Sequence, residues 1–119
     1  MTTQVHFLVE LSVHEGKFDR FDSIAQEMIG STRLEPGALG YEWCLSADRK
    51  RCRILETYAD SDAVLAHING AAVQQGVPKM LEVATLDRFE VYGDPGPQAT
   101  AMLKGFGAEI FAAWSGFRR

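Results

Sequence analysis

Apolar and polar residues alternate along "QVHFLVELSV", residues 4–13: Val5, Phe7, Val9, Leu11 and Val13 fall on one side, His6, Glu10 and Ser12 on the other. A period of two marks a strand with one buried face, and Leu8 is the apolar intrusion on its polar side. After the turn "HEG" the period changes. Phe18, Phe21, Ile24, Ala25, Met28 and Ile29 recur at three- and four-residue steps, which predicts an amphipathic helix with Asp19, Asp22 and Glu27 outward. "EPG" ends it, because Pro36 pushes Glu35 out of the α region and Gly37 permits a reversal.

"ALGYEWCLS" and "RCRILETYA" read as two further strands joined by a tight turn at "ADRK". Leu39, Tyr41, Trp43 and Leu45 share one face of the first; Cys52, Ile54, Glu56 and Tyr58 share one face of the second. An even-length turn sets Tyr41 and Trp43 beside Ile54 and Glu56, an odd one sets them on opposite sides. Asp60 or Ser61 caps a helix through "DAVLAHI" that stops at "NG". "AAVQQG" continues it by a turn or two, and "VPKMLEVA" predicts a short helix with Pro78 in its first turn. "TLDRFEVYG" alternates again. The order strand, helix, strand, strand, helices, strand predicts an α+β, ferredoxin-like βαββαβ sandwich, an antiparallel sheet with helices on one face.

That plan accounts for residues 1–93. The extension, residues 94–119, opens with the linker-like "GDPGP" and goes on as a weakly helical stretch interrupted by Gly105 and Gly107. Met102, Leu103, Phe106, Ile110, Phe111, Trp114 and Phe117 make it too apolar for a floating tail, so it is expected to dock on its own domain or on a partner's. A sheet with helices on one face leaves the other bare. A second copy covering that face, with the tails latching across, predicts a homodimer.

Composition narrows the function. The chain has 119 residues, 12 basic against 16 acidic, for a net charge of −4, so it carries no electrostatic footprint for nucleic acid. No run approaches the ~18 apolar residues of a membrane span. The start, "MTTQVHFLVELSV", is unlike a secretory signal, and a cytoplasmic protein is expected. Cys44 and Cys52 flank a turn and could meet across it, but in a reducing compartment they read as two free thiols acting as small hydrophobes. With His6 and His14 distant, they match no zinc spacing, and no metal is expected.

The candidate chemistry gathers in "LETYADSDAVLAHING", which strings together Glu56, Tyr58 and His67. A carboxylate on an otherwise apolar strand face is costly to bury. Glu56 therefore either pairs with Arg53 or Arg88 at the sheet surface, or takes a donor such as Tyr58, or has a raised pKa. His67 lies beside the buried stripe of its helix. It reads either as a half-buried histidine capping carbonyls, its cation modestly favoured by the helix end, or as a proton acceptor at a cleft mouth. Tyr41, Trp43, Phe89, Tyr92 and Trp114 could line a pocket for a planar ligand. The glycine stretches "GFG" and "GDPGP" lack the strand–glycine–helix context of a phosphate loop, and no serine sits on a nucleophile elbow.

"EPGALGYEW", then "RILETYADSDAVLAH", then the closing strand together resemble the antibiotic biosynthesis monooxygenase family, small dimeric α/β-barrel proteins that include quinol monooxygenases. The resemblance runs over about residues 4–92 and rests on Glu35-Pro36-Gly37, Tyr41, Glu56 with Tyr58, and His67. It implies oxidation of an electron-rich phenol or hydroquinone by O₂, with neither metal nor organic cofactor. His67 would be the base or orienting group, with Glu56 holding His67 or Tyr58. Tyr58, Tyr41, Trp43 and Phe89 would pack the small aromatic substrate. Two other uses of the same pocket stay open: non-catalytic binding of a small ligand by a stress-associated dimer, and an isomerase or lyase acting on a small enolisable acid. In a haem-degrading branch of the superfamily, the position of a required tryptophan falls on His67, and the axial histidine would fall near Gly76 or Val77, so haem breakdown is disfavoured.

Overall fold

In a computed structural model, which describes residues 2–119, the alternating segments form the strands β1 (Val5–Val13), β2 (Ala38–Leu45), β3 (Arg51–Tyr58) and β4 (Ala84–Tyr92). The three-to-four-period segments form α1 (Phe18–Arg33) and α2 (Ser61–Ile68). Asp60 caps α2, its side chain accepting from the Ala63 amide at 2.9 Å. Beyond "NG", a π-helical turn, Ala72–Gly76, runs into the short α3 (Val77–Met80), with Pro78 near its start where a missing N–H costs nothing. The sheet order is β2-β3-β1-β4 with antiparallel neighbours, the ferredoxin-like plan, and in the single chain it stays an open sheet.

The extension adds two elements. Helix α4 (Pro97–Gly105) packs on α2, and the short strand β5 (Glu109–Phe111) joins the sheet edge parallel to β4. The sequence predicts broken helix here and misses β5. Gly105 closes α4 as expected, and Gly107, at φ +90, turns the chain into the left-handed region from which it re-enters the sheet. Ala99 and Leu103 are the buried anchors of α4. The extension thus docks on its own domain as far as Phe111, while Trp114 and Phe117 beyond it stand 95% and 83% exposed.

All the helices lie on one sheet face. Phe21, Ile24, Ala25 and Met28 of α1 are buried against Leu11, Cys52 and Ile54, as the helical stripe predicts, while Phe18 and Ile29 are only half-buried at its edge. The β2–β3 register pairs Tyr41 with Glu56 and Trp43 with Ile54, so the turn has the even parity and all four side chains share the helix-covered face. Cys52 therefore points into the core, whereas Cys44 faces out, exposed, opposite Arg53. The two thiols are free, and only Cys52 serves as a small buried hydrophobe. The chain reverses at Pro36-Gly37 as expected, the Ala38 amide donating to the Glu35 carbonyl at 3.1 Å, and Gly37 does so with an ordinary negative φ. Its missing side chain matters because a Cβ there would collide with that of Ala63 on α2.

Candidate active site

The helix face of the sheet, α2, α3 and α4 enclose a cavity of about 100 Å³ that opens to solvent on one side. Its wall is almost wholly apolar, built from Phe7, Ile54, Met28 and Phe89 among others, and its titratable members are Tyr41, Glu56 and His67. No Lys or Arg contributes to it among the described residues. Five of the eight side chains singled out from sequence, Tyr41, Trp43, Glu56, His67 and Phe89, line this one space, whereas Tyr92 stacks on Phe111 at the sheet edge and Trp114 stands in solvent. Tyr58 does not reach the wall. It is fully buried behind Glu56, between Phe7 and the imidazole, with ring centroids 4.9 and 4.8 Å away.

Glu56 does not pair with Arg53 or Arg88, which join Glu10 on the opposite face of the sheet. Strand alternation puts residue 56 inside and residue 53 outside. Its carboxyl, 5% exposed, accepts from the Tyr58 hydroxyl at 2.5 Å and lies 3.6 Å from His67 Nε2. Burial pushes its pKa from 4.5 up to about 7, Tyr58 opposing the rise and the Glu35 charge adding to it. The Tyr58 phenol is pushed far above its usual range by burial and then by Glu56, so Tyr58 stays a neutral donor.

His67 caps no carbonyl. The ring is 3% exposed, and Nδ1 meets both carboxylate oxygens of Glu35, at 3.0 and 3.2 Å. A carboxylate on Nδ1 keeps the ring proton there and leaves the Nε2 lone pair facing Glu56. The helix C-terminus favours an imidazolium, but burial outweighs it and holds the pKa below the ordinary value, with Glu35 opposing. The outcome is a row of four groups, Glu35, His67, Glu56 and Tyr58, in which the Glu56 carboxyl, with a pKa of about 7, faces the cavity beside the imidazole. Such an arrangement serves as a general base or a general acid.

Sequence reading assigns Glu35 only to the turn. Its partner lies 32 residues on, and nothing local signals the pairing except that Pro36 and Gly37 carry the chain directly under α2. Leu103 and Phe106, from the extension, complete the wall. On the same wall, Tyr41 packs edge-on to His67 with centroids 5.7 Å apart, and to Trp43 at 5.9 Å. Behind it, Thr32 Oγ1 and Trp43 Nε1 are buried without a hydrogen-bond partner. Among the described residues no group of three or more His, Cys, Asp or Glu side chains is placed to hold a metal ion, and no helix is long and apolar enough to cross a membrane.

No curated protein matches the chain. Among solved structures, MupZ from Pseudomonas fluorescens is similar over 99% of this chain and 96% of its own, with a TM-score of 0.82 at 20% identity. SnoaB from Streptomyces nogalater, a cofactor-independent oxygenase solved as a mutant, is similar over 81% of this chain and 97% of its own, at TM-score 0.69 and 14% identity. A protein from Shewanella oneidensis matches at 26% identity over 76% of this chain and 88% of its own, with a TM-score of 0.63. At these identities the first two likenesses establish the fold, and the match to MupZ extends through the C-terminal elements. A family model, Antibiotic biosynthesis monooxygenase, matches residues 5–79, from the first strand through the π-helical turn into α3 and so across Glu35, Tyr41, Glu56, Tyr58 and His67. The chain belongs to the antibiotic biosynthesis monooxygenase family.

Proposed function

We propose that the chain is a cofactor-independent monooxygenase that oxidises a small, electron-rich phenol or hydroquinone with O₂. The observation that carries this reading is a carboxyl with a pKa near 7 on the wall of an apolar cavity, backed by a neutral imidazole. Glu56 and His67 together take the phenolic proton. The electron-rich anion then gives one electron to O₂, and the resulting radical pair joins at an adjacent carbon as a hydroperoxide. Loss of water leaves one oxygen atom in the product as a carbonyl. The two hydrogens of that water are the phenolic proton, which Glu56 and His67 return to the peroxide, and the single C–H proton, which Glu56 takes from the carbon and passes to the departing hydroxide. Dry, apolar walls keep solvent from protonating the anion first. Oxygen uptake with a panel of hydroquinones and anthrones tests the proposal. Turnover is expected in the wild type and a loss on the order of 10²-fold in His67→Ala, whereas full turnover by that variant overturns the role of the imidazole.

The same carboxyl favours a second reading, proton transfer without oxygen, as in an isomerase or lyase. A carboxyl poised near neutrality is equally suited to take a proton from carbon and return it elsewhere. Solvent deuterium entering a substrate with no oxygen uptake is its signature. Tight binding with neither event would leave a binding protein.

The chain acts as a homodimer in this proposal. The sheet face opposite the helices carries Leu55, 46% exposed, and beyond the edge strand β5 Trp114 and Phe117 stand in solvent. A second copy laid on that face, with each tail crossing the other's sheet, buries all of them and closes the two open sheets into a barrel.

A further inference from the structure

The Tyr41 phenol reads from sequence as a ring-packing side chain, but its surroundings give it another role. Thr32 Oγ1 and Trp43 Nε1, both buried with no hydrogen-bond partner, stand beside its oxygen and favour negative charge there. Burial, followed by the Glu56 charge, nonetheless keeps the phenol far above its usual range and so neutral. Trp43 Nε1 can only donate and the Thr32 hydroxyl is able to, so the O–H that Tyr41 retains has no obligatory partner behind it and is available to the cavity that Tyr41 lines, beside the imidazole.

Two further features limit what accepts that proton. The wall presents Glu56 and His67 but no cation, so an anion entering would lose its water and meet a carboxyl. The enclosed space, about 100 Å³, is smaller than the ~150 Å³ cavity that holds one benzene ring. A fused ring system does not fit wholly inside it and would extend through the open side. The wall residues Leu81 and Phe106 are 49% and 40% exposed, which sets them at the open side as an apolar lip.

We propose that the cavity takes the narrow head of a neutral, mostly apolar molecule whose one oxygen, a carbonyl or hydroxyl, accepts a hydrogen bond from Tyr41, while its apolar remainder leaves between Leu81 and Phe106. This names the substrate class for the site of the preceding section, resting on that reading only for Glu56 as the group facing the same head. Binding tests it without oxygen chemistry. The probes are three molecules of nearly one shape, 4-pentylacetophenone, 4-pentyltoluene and 4-pentylbenzoate, titrated at pH 7 by calorimetry. The ketone is expected to bind about five- to tenfold more tightly than the hydrocarbon, the value of one net hydrogen bond, and the benzoate at least tenfold more weakly than the ketone. Tyr41→Phe, checked for native circular dichroism, is expected to erase the ketone's advantage and leave the hydrocarbon's affinity in place. Phe106→Trp, which narrows the lip without touching the polar groups, is expected to weaken the pentyl compounds and spare acetophenone itself. Benzoate binding as well as the ketone, a ketone advantage that survives Tyr41→Phe, or no binding by any of the three overturns the proposal. A protein that binds the ketone as expected but consumes no oxygen with any phenol removes the oxygenase reading alone.

Discussion

Replacing Glu56 by Gln isolates the energetic consequence of burying a carboxyl. The amide has the shape of the protonated acid, can still accept from Tyr58, and does not ionise. In the wild type the folded chain holds this proton up to about pH 7, against 4.5 for the exposed group. The sign follows from that order. Below pH 4.5 both states hold the neutral acid, and the stabilisation from tighter proton binding is fully present. It is lost as the pH rises through the window from 4.5 to about 7, and above it the folded chain carries an ionised carboxylate in an apolar wall. At about 1.4 kcal/mol for each pH unit, the full effect is roughly 3 kcal/mol for a group this buried. Urea unfolding followed by circular dichroism from pH 4 to 8.5, on wild type and Glu56→Gln, separates this group from the other carboxylates, which the two proteins share. The difference is expected to be near zero at pH 4 and to reach roughly 3 kcal/mol in favour of Gln at pH 8.5. A difference that does not change with pH, or that grows toward acid, refutes the reasoning.

Three other outcomes follow from the same geometry. Glu35→Gln retains an acceptor for His67 Nδ1 but removes the charge that raises both Glu56 and His67, so the acid limb of the pH–rate profile is expected to move to lower pH. Gly37→Ala drives a Cβ into Ala63 on α2, and a loss of about 1–3 kcal/mol in unfolding free energy is expected, with α2 and hence His67 displaced. Removal of residues 112–119 is expected to shift the mass in sedimentation equilibrium from dimer toward monomer, since it strips the exposed Trp114 and Phe117.

Much of this was legible in the chain because most of the decisive signals are local. Alternation fixed β1, β3 and β4, the stripe from Phe21 to Met28 fixed α1, and Asp60 marked the start of α2. The site was harder. That Tyr41 and Trp43 share a face with Glu56 depends on the parity of the Ala47–Lys50 turn, closed by the Ser46–Arg51 pair, which a propensity argument does not count. Glu35 escaped notice because a carboxylate before Pro-Gly looks like turn chemistry, and only the close approach of Gly37 to Ala63 brings it under the imidazole. The strand β5 is three residues long, too short for a period to show, and its partner β4 supplies the pairing. His67 was read with the helix end in view, but the burial that dominates it comes from Tyr41, Tyr58 and the sheet beneath.

The central claim is that proton transfer to a carboxyl in an apolar cavity starts an oxygen insertion. Isotope labelling tests it most directly. A substrate that supports oxygen uptake is turned over under ¹⁸O₂ in D₂O of natural oxygen composition, and the product is weighed by mass spectrometry at early times. One ¹⁸O atom per product molecule, with the second recovered in water, is the predicted result. Product free of ¹⁸O, formed while deuterium from solvent appears at carbon, contradicts it and leaves Glu56 and His67 moving protons alone.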